Sequence, residues 1–254
     1  MTSLGFSLSQ ARLAFSGQWL FDGLSATFAP GSWTGLLGRS GSGKSSLLRM
    51  IADLPIPDTH ALTLTTDDQH PLAGRLAWMA QQDQLLPWRK VIDNVLLGPA
   101  LRGHPSAAQR QHAMTLLDDV GLSDKAEQWP KTLSGGQRQR VALARTLFED
   151  APVVLMDEPF SAVDAITRLE LHELAARLLA GRTVLLVTHD PLEALRLSDR
   201  ILILGGQPAS LSDFEVPHGQ RPRALDAPDV QRMQSQLVAR LHSAPHTNIE
   251  GSTP

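Results

Sequence analysis

The stretch GRSGSGKSS, residues 38–46, constrains this chain more than any other feature, because it sets three glycines and four serines around a single lysine. A flexible linker can have that composition but needs no fixed spacing. Here Gly38, Gly43, Lys44 and Ser45 fit G-x-x-x-x-G-K-[ST], and the stretch lies between the apolar run WTGLLG from Trp33 and the helix-like SSLLRMIADL. Glycines let backbone N–H groups turn inward around phosphate oxygens, and the N-terminus of the following helix adds positive potential. Lys44 is then placed to neutralise β and γ phosphates, and Ser45 to ligate Mg²⁺. Gly38, Arg39, Ser40, Gly41, Ser42, Gly43, Lys44, Ser45 and Ser46 are therefore the candidate phosphate-loop contacts. Arg39 either adds charge near the phosphates or faces solvent.

A phosphate loop of this kind calls for a buried strand ending in an acid that holds the metal, and VVLMDE supplies one. Asp157 is the metal-side acid, and Glu158 is the group that polarises an attacking water. RLAWMA from Arg75, PVVLMDE from Pro152, TVLLVTH from Thr183 and RILILGG from Arg200 join WTGLLG as short, continuous apolar runs. Helical stretches separate them. Ser106 opens one as a capping box that ends before Gly121, a second runs from Gln137 with Val141, Ala144 and Phe148 on one face, and a third runs from Asp164 to Gly181. Asp190 and Pro191, with Glu193 following, start a fourth. Apolar strands alternating with helices predict an α/β fold whose mostly parallel sheet is covered on both faces.

Composition narrows the function classes. With 254 residues, 42% hydrophobic and 19% charged, the chain can bury a sizeable core. A net charge of −3 provides no basic field for tracking nucleic-acid phosphates, so no nucleic-acid partner is expected. The absence of cysteine excludes disulfides, thiolate metal sites and cysteine nucleophiles. The N-terminus lacks a signal-peptide pattern, and no run approaches the roughly 18 to 20 apolar residues of a membrane span, so any membrane contact is expected to be peripheral.

LSGGQRQRVALARTL, residues 133–147, carries two glycines at a helix start, each costing up to ~1 kcal/mol relative to alanine unless backbone must approach something closely. Together with the phosphate loop and VVLMDEP, this order of motifs resembles the ATP-binding-cassette (ABC) ATPase family, whose signature is LSGGQ. The resemblance covers about Leu8 to Leu204. It implies a P-loop NTPase of the ABC type: a RecA-like, mostly parallel core, an antiparallel β part, and a helical subdomain at about 88–150. Residues 1–241 would form one domain and 242–254 a disordered tail.

The same resemblance assigns further roles. Phe15 is similar to the aromatic that stacks on adenine, with Trp19 as the weaker candidate. Gln81 resembles the glutamine that senses Mg²⁺, a match ambiguous by one residue with Gln82. Ser134, Gly135, Gly136 and Gln137 would bind the nucleotide of a second copy, Ser134 and Gly136 reaching its γ-phosphate, Asp164 of SAVD would line that interface, and His189 would act beside the γ-phosphate with Glu158. Ser45, Gln81 and Asp157 would hold Mg²⁺, and Lys44, Glu158 and His189 would carry catalysis. Two features depart from the family: Asp53 stands where a glycine is usual, and the compact stretch after it leaves the local strand count open.

LLPW, DEPFSAVDAITR and VTHDPLEALRLSDR are most similar to the nitrate, sulfonate and taurine importer branch, which includes ATPases for pyrimidine precursors of thiamine. That implies ATP and Mg²⁺ as cofactors, a homodimer closing on ATP, separate membrane permease subunits, indirectly a substrate-binding protein, and a peripheral location on the cytoplasmic face of the membrane. QDQLLPWRKVIDNVLLG, with Trp88, would receive the permease, while Leu86 is equally well subdomain core. The rival class is a soluble ABC protein acting on ribosomes or DNA, which usually joins two cassettes in one chain or carries a long coiled-coil insertion. A nucleotide kinase or small GTPase is disfavoured by LSGGQ followed by the acid pair and histidine. Cargo identity is not encoded in this chain.

Overall fold

The computed structural model describes residues 3–56 and 60–243. β1 (Phe6–Phe15) and β2 (Gln18–Phe28) form an antiparallel hairpin, followed by β3 (Trp33–Leu37) and α1 (Lys44–Ile51). β4 (His60–Thr66) pairs with the free edge of β1, completing a three-stranded antiparallel sheet in the order β2-β1-β4. Between α1 and β5 (Leu76–Met79), β4 is the one strand among the described residues. Asp53, just beyond α1, has φ 54, the left-handed conformation that favours glycine, so the departure from the family pattern is one of side chain and not of backbone.

Four α-helices separate β5 from β6 (Val153–Asp157): α2 (Val91–Val95), α3 (Leu97–Arg102), α4 (Ala107–Asp119) and α5 (Gly135–Phe148). Ser106 and Ser134 build capping boxes with Gln109 and Gln137 at the starts of α4 and α5. Each cap is worth roughly 1 kcal/mol. After β6 come α6 (Ala165–Leu178), β7 (Thr183–Val187), α7 (Pro191–Leu197), β8 (Arg200–Gly206), β9 (Ala209–Phe214) and α8 (Pro228–Ser243). The tail boundary drawn at 241 thus falls inside α8, and residues 244–254 lie outside the described residues.

The second sheet has the order β5-β6-β7-β3-β8-β9, with every pairing parallel except β8 with β9. Side chains alternate faces along each strand, which explains why its central strands are apolar throughout. Val154 and Met156 of β6 and Val184 and Leu186 of β7 face Val141, Ala144 and Phe148 of α5 and Leu171 and Ala175 of α6. Val153, Leu155, Leu185 and Val187 face the opposite layer, made by Leu47, Leu48 and Ile51 of α1 and by Phe6, Leu8 and Phe21 of the antiparallel sheet. A third cluster seats α8, through Val230, Met233 and Leu237, on α7 and on Ile201 and Ile203 of β8.

This layering places the loop after β3, the end of β6 and the end of β7 side by side, since β6, β7 and β3 are sheet neighbours running in one direction. The carboxyl edge of a parallel sheet is where ligand sites form in such folds.

Candidate nucleotide-hydrolysis site

The loop after β3 leads into α1 through Gly43, whose φ of 95 is open to glycine and strained for other residues. Lys44, the first residue of α1, is buried, and its Nζ donates to the carbonyls of Gly38 at 2.8 Å and Arg39 at 3.1 Å. The ammonium therefore sits inside the curl of the loop. Burial lowers its pKa, and the charges of Glu158 and Asp157 partly offset this.

Asp157 closes β6. Ser45 Oγ donates to its Oδ1 at 3.0 Å, which brings the loop and the acid strand into direct contact. Burial raises the pKa of Asp157, while the Ser45 hydrogen bond opposes the rise. A hydroxyl and a carboxylate so placed are hard oxygen donors of the kind that hold Mg²⁺ together with water and phosphate oxygens, so these residues fit that ion.

Glu158 follows at φ 47, a left-handed conformation uncommon for a residue with a side chain. Its N–H donates to Val187 O at 2.9 Å, and its carbonyl accepts from Ser161 Oγ at 2.9 Å, so the unusual turn is held at both ends. The carboxylate meets two other candidate site residues: Gln81 Nε2 donates to Oε2 at 3.3 Å, and His189 Nδ1 lies 2.9 Å from the same oxygen. Between Gln81 and Gln82, it is Gln81 that lines the cleft. With Nε2 engaged on Glu158, Gln81 Oε1 is the atom left for a metal.

A cleft of about 520 Å³ is lined by Phe15, Leu20, Ser40, Gly41, Gly43, Lys44, Ser45, Ser46, Gln81 and Glu158. Phe15 thus lines the same cleft as the phosphate loop, while Trp19 is not part of the lining. Leu20 was missed by sequence reasoning: it alternates with the exposed Trp19 on β2 and reads as an ordinary core residue. Gly38, Arg39 and Ser40 border a neighbouring cavity of about 320 Å³ that also takes in His189, Pro191 and, from α8, Val238, Leu241 and His242. Ser42 is buried beneath the loop.

The four signature residues stand apart from this cleft. Ser134, Gly135, Gly136 and Gln137 open α5, and none of them lines it. Gly136 has a cause within the chain: a β-carbon there would lie well inside contact distance of Thr167 Cγ2 on α6. The close approach inferred from the glycine pair is, for Gly136, an approach to a neighbouring helix. Asp164 caps α6 by accepting from Ile166 N–H at 3.1 Å and Thr167 N–H at 3.0 Å.

Side chains of α5 also hold the loop that carries Gln81. Gln139 Nε2 donates to Gln81 O at 3.2 Å, Arg138 Nε to Asp83 Oδ2 at 2.9 Å, and Arg145 to the carbonyls of Asp83 at 2.6 Å and Gln84 at 2.9 Å. Further along, Asn94 is fully buried and staples the next loop, accepting from Leu86 N–H at 2.7 Å and donating to the carbonyls of Leu86, Arg89 and Lys90. That loop presents Trp88, which is 69% exposed, while Leu85 joins the core. No helix among the described residues is long and apolar enough to cross a membrane.

Comparison with known proteins agrees with this architecture. The ABC transporter family profile matches residues 21–161. An uncharacterized ABC transporter ATP-binding protein of Haemophilus influenzae is 45% identical over 235 residues, covering 90% of this chain and 95% of its own length. Aliphatic sulfonates import ATP-binding proteins are similar too: that of Rhodococcus jostii is 50% identical over 78% of this chain and 77% of its own, and that of Delftia acidovorans 43% identical over 93% and 92%. Among solved structures, a dimeric ATP-binding cassette in a post-hydrolysis state bound to ADP and Pi superposes with a TM-score of 0.69 at 27% identity, over 84% of this chain and 100% of that one.

Proposed function

Because this chain belongs to the ABC transporter family, we propose that it is the ATP-hydrolysing subunit of an importer, working as a homodimer on separate membrane permease subunits. The carrying observation is the convergence of Lys44, Ser45, Asp157, Glu158, Gln81 and His189 from four separate chain segments on one sheet edge. The names of the sulfonate-importing relatives support an organic sulfonate as the cargo class.

ATP enters the 520 Å³ cleft with its adenine against Phe15 and its phosphates in the loop, where Lys44 and the backbone N–H groups face them. Ser45, Asp157 and Gln81 would hold Mg²⁺, which would supply positive charge against the negative charge that develops on phosphoryl transfer. Glu158 orients and polarises the attacking water, and His189, 2.9 Å from that carboxylate, fixes its direction and faces the γ-phosphate. Ser134 and Gly136 of one protomer complete the site of the other, with Asp164 at the seam. Loss of the γ-phosphate removes the charged link between protomers and lets them part. Trp88, on the Asn94-stapled loop, is the contact for a cytoplasmic segment of the permease.

The test is recovery of the partner. Tagged Glu158→Gln protein, captured with ATP from gently solubilised membranes, should bring down one polytopic permease. Recovery of ribosomal or DNA-repair proteins with no permease would overturn the importer reading.

A further inference from the structure

Two loops of the proposed site have different addressees: Ser161–Asp164 faces the second protomer, whereas the turn Thr188–Asp190 presents His189 to the chain's own nucleotide. One side chain touches both. Arg168, in the second turn of α6, sends Nε to Phe160 O at 3.2 Å, Nη2 to Val163 O at 3.2 Å and Nη1 to Asp190 Oδ2 at 3.2 Å. Asp190 is in turn built into the histidine turn. Its N–H donates to Thr188 Oγ1 at 3.0 Å, and its Oδ1 caps α7 through Leu192 N–H at 2.9 Å. The first of the two loops is otherwise tied to Glu158 through Ser161 and to α6 through Asp164.

We propose that Arg168 is a positioning residue for hydrolysis, a three-pronged strut that locks the loop facing the partner protomer to the turn carrying His189, so that seating one site sets the geometry of the other. Only a planar guanidinium serves this purpose, because two carbonyls and a carboxylate lie on different sides of its fork and a lysine ammonium cannot span them. The strut is half-shielded, and it leaves the phosphate loop untouched, so it acts on the reaction and not on ATP affinity.

The inference rests on the ATPase reading, and the test separates the two. Full-length wild type, Arg168→Gln, Arg168→Lys, Asp190→Asn and the catalytic control Glu158→Gln are compared by steady-state ATPase kinetics and by hydrogen–deuterium exchange of the resting protein. Arg168→Gln should lower kcat about tenfold or more while KM for ATP stays within about threefold, since small misplacement of reacting groups costs rate and not binding. Exchange should rise in peptides spanning residues 158–166 and 186–192 and stay unchanged elsewhere. Asp190→Asn should loosen the second peptide alone, and Arg168→Lys should fail to restore kcat. Wild-type kcat in Arg168→Gln, or exchange that rises across the whole chain, overturns the strut. A wild-type protein that hydrolyses no ATP, or a Glu158→Gln protein as active as wild type, contradicts the ATPase reading, while the exchange pattern still decides the strut.

Discussion

A β-carbon on Gly136 would collide with Thr167 Cγ2, and Thr167 is kept from turning away because its Oγ1 donates to Asp164 Oδ2 at 2.7 Å. Gly136→Ala is therefore expected to cost about 1–3 kcal/mol by overpacking the α5–α6 contact. Urea denaturation measures this, and Thr167→Ser in the same chain, which deletes the offending methyl, should return most of the loss. An alanine variant as stable as wild type would show that the helices have room to part. The glycine was legible in the sequence and its cause was not, because Thr167 is far along the chain and only the packing of α5 on α6 brings the two together. Gly135 differs, since a β-carbon there meets nothing nearer than 3.9 Å. Lys44, Ser45, Asp157 and Glu158 could be named from spacing because their motif is local. The 2.9 Å contact of His189 with Glu158 depends on β6 and β7 being sheet neighbours, and only the family resemblance anticipated it.

At the scale of elements, α6 and α7 meet through a buried polar pair. His172 of α6 is pushed down to about 3, by burial first and then by the charges of Arg196 and Arg168. Glu193 of α7 is pushed up to about 8, by burial first and then by Asp190, with Glu158 adding to the rise and Thr188 and Arg168 opposing it. Each has a definite sign. Folded Glu193 keeps a proton that the unfolded chain releases above its ordinary 4.5, so its contribution is full below that pH and is lost as pH rises to about 8. Folded His172 refuses a proton that the unfolded chain takes up below its ordinary 6.5, so its contribution is full above that pH and is lost as pH falls toward about 3. The two slopes oppose each other between 4.5 and 6.5, and Glu193 acts alone from 6.5 to 8. Glu193→Gln should flatten the loss of stability over that upper window, a slope of up to about 1.4 kcal/mol per pH unit. Denaturant midpoints from pH 6 to 8.5 measure it, and identical profiles for the two proteins would contradict the assignment. The apolar strands that carry these helices were legible because both faces of the sheet are covered. Asn94 was not, since one asparagine in VIDNV reads as a polar helix position, and its value lies in the loop that it staples.

For the whole molecule, the cleft and the signature lie in separate places on one chain. The cleft gathers Phe15, the phosphate loop, Gln81 and Glu158, while Ser134–Gln137 begin a helix outside its lining. In the proposed homodimer, a second copy related by a two-fold axis would complete the cleft with its own signature, twice over. The most direct measurement is sedimentation of the Glu158→Gln protein with and without ATP and Mg²⁺, beside the double variant Glu158→Gln, Ser134→Arg, with bound nucleotide quantified in both. The composite-site account predicts that Glu158→Gln sediments as the 27.6 kDa chain without ATP and at twice that mass with it, and that the double variant binds ATP yet stays monomeric. ATP-loaded Glu158→Gln that remains a monomer, or a double variant that pairs as well as its parent, would contradict it.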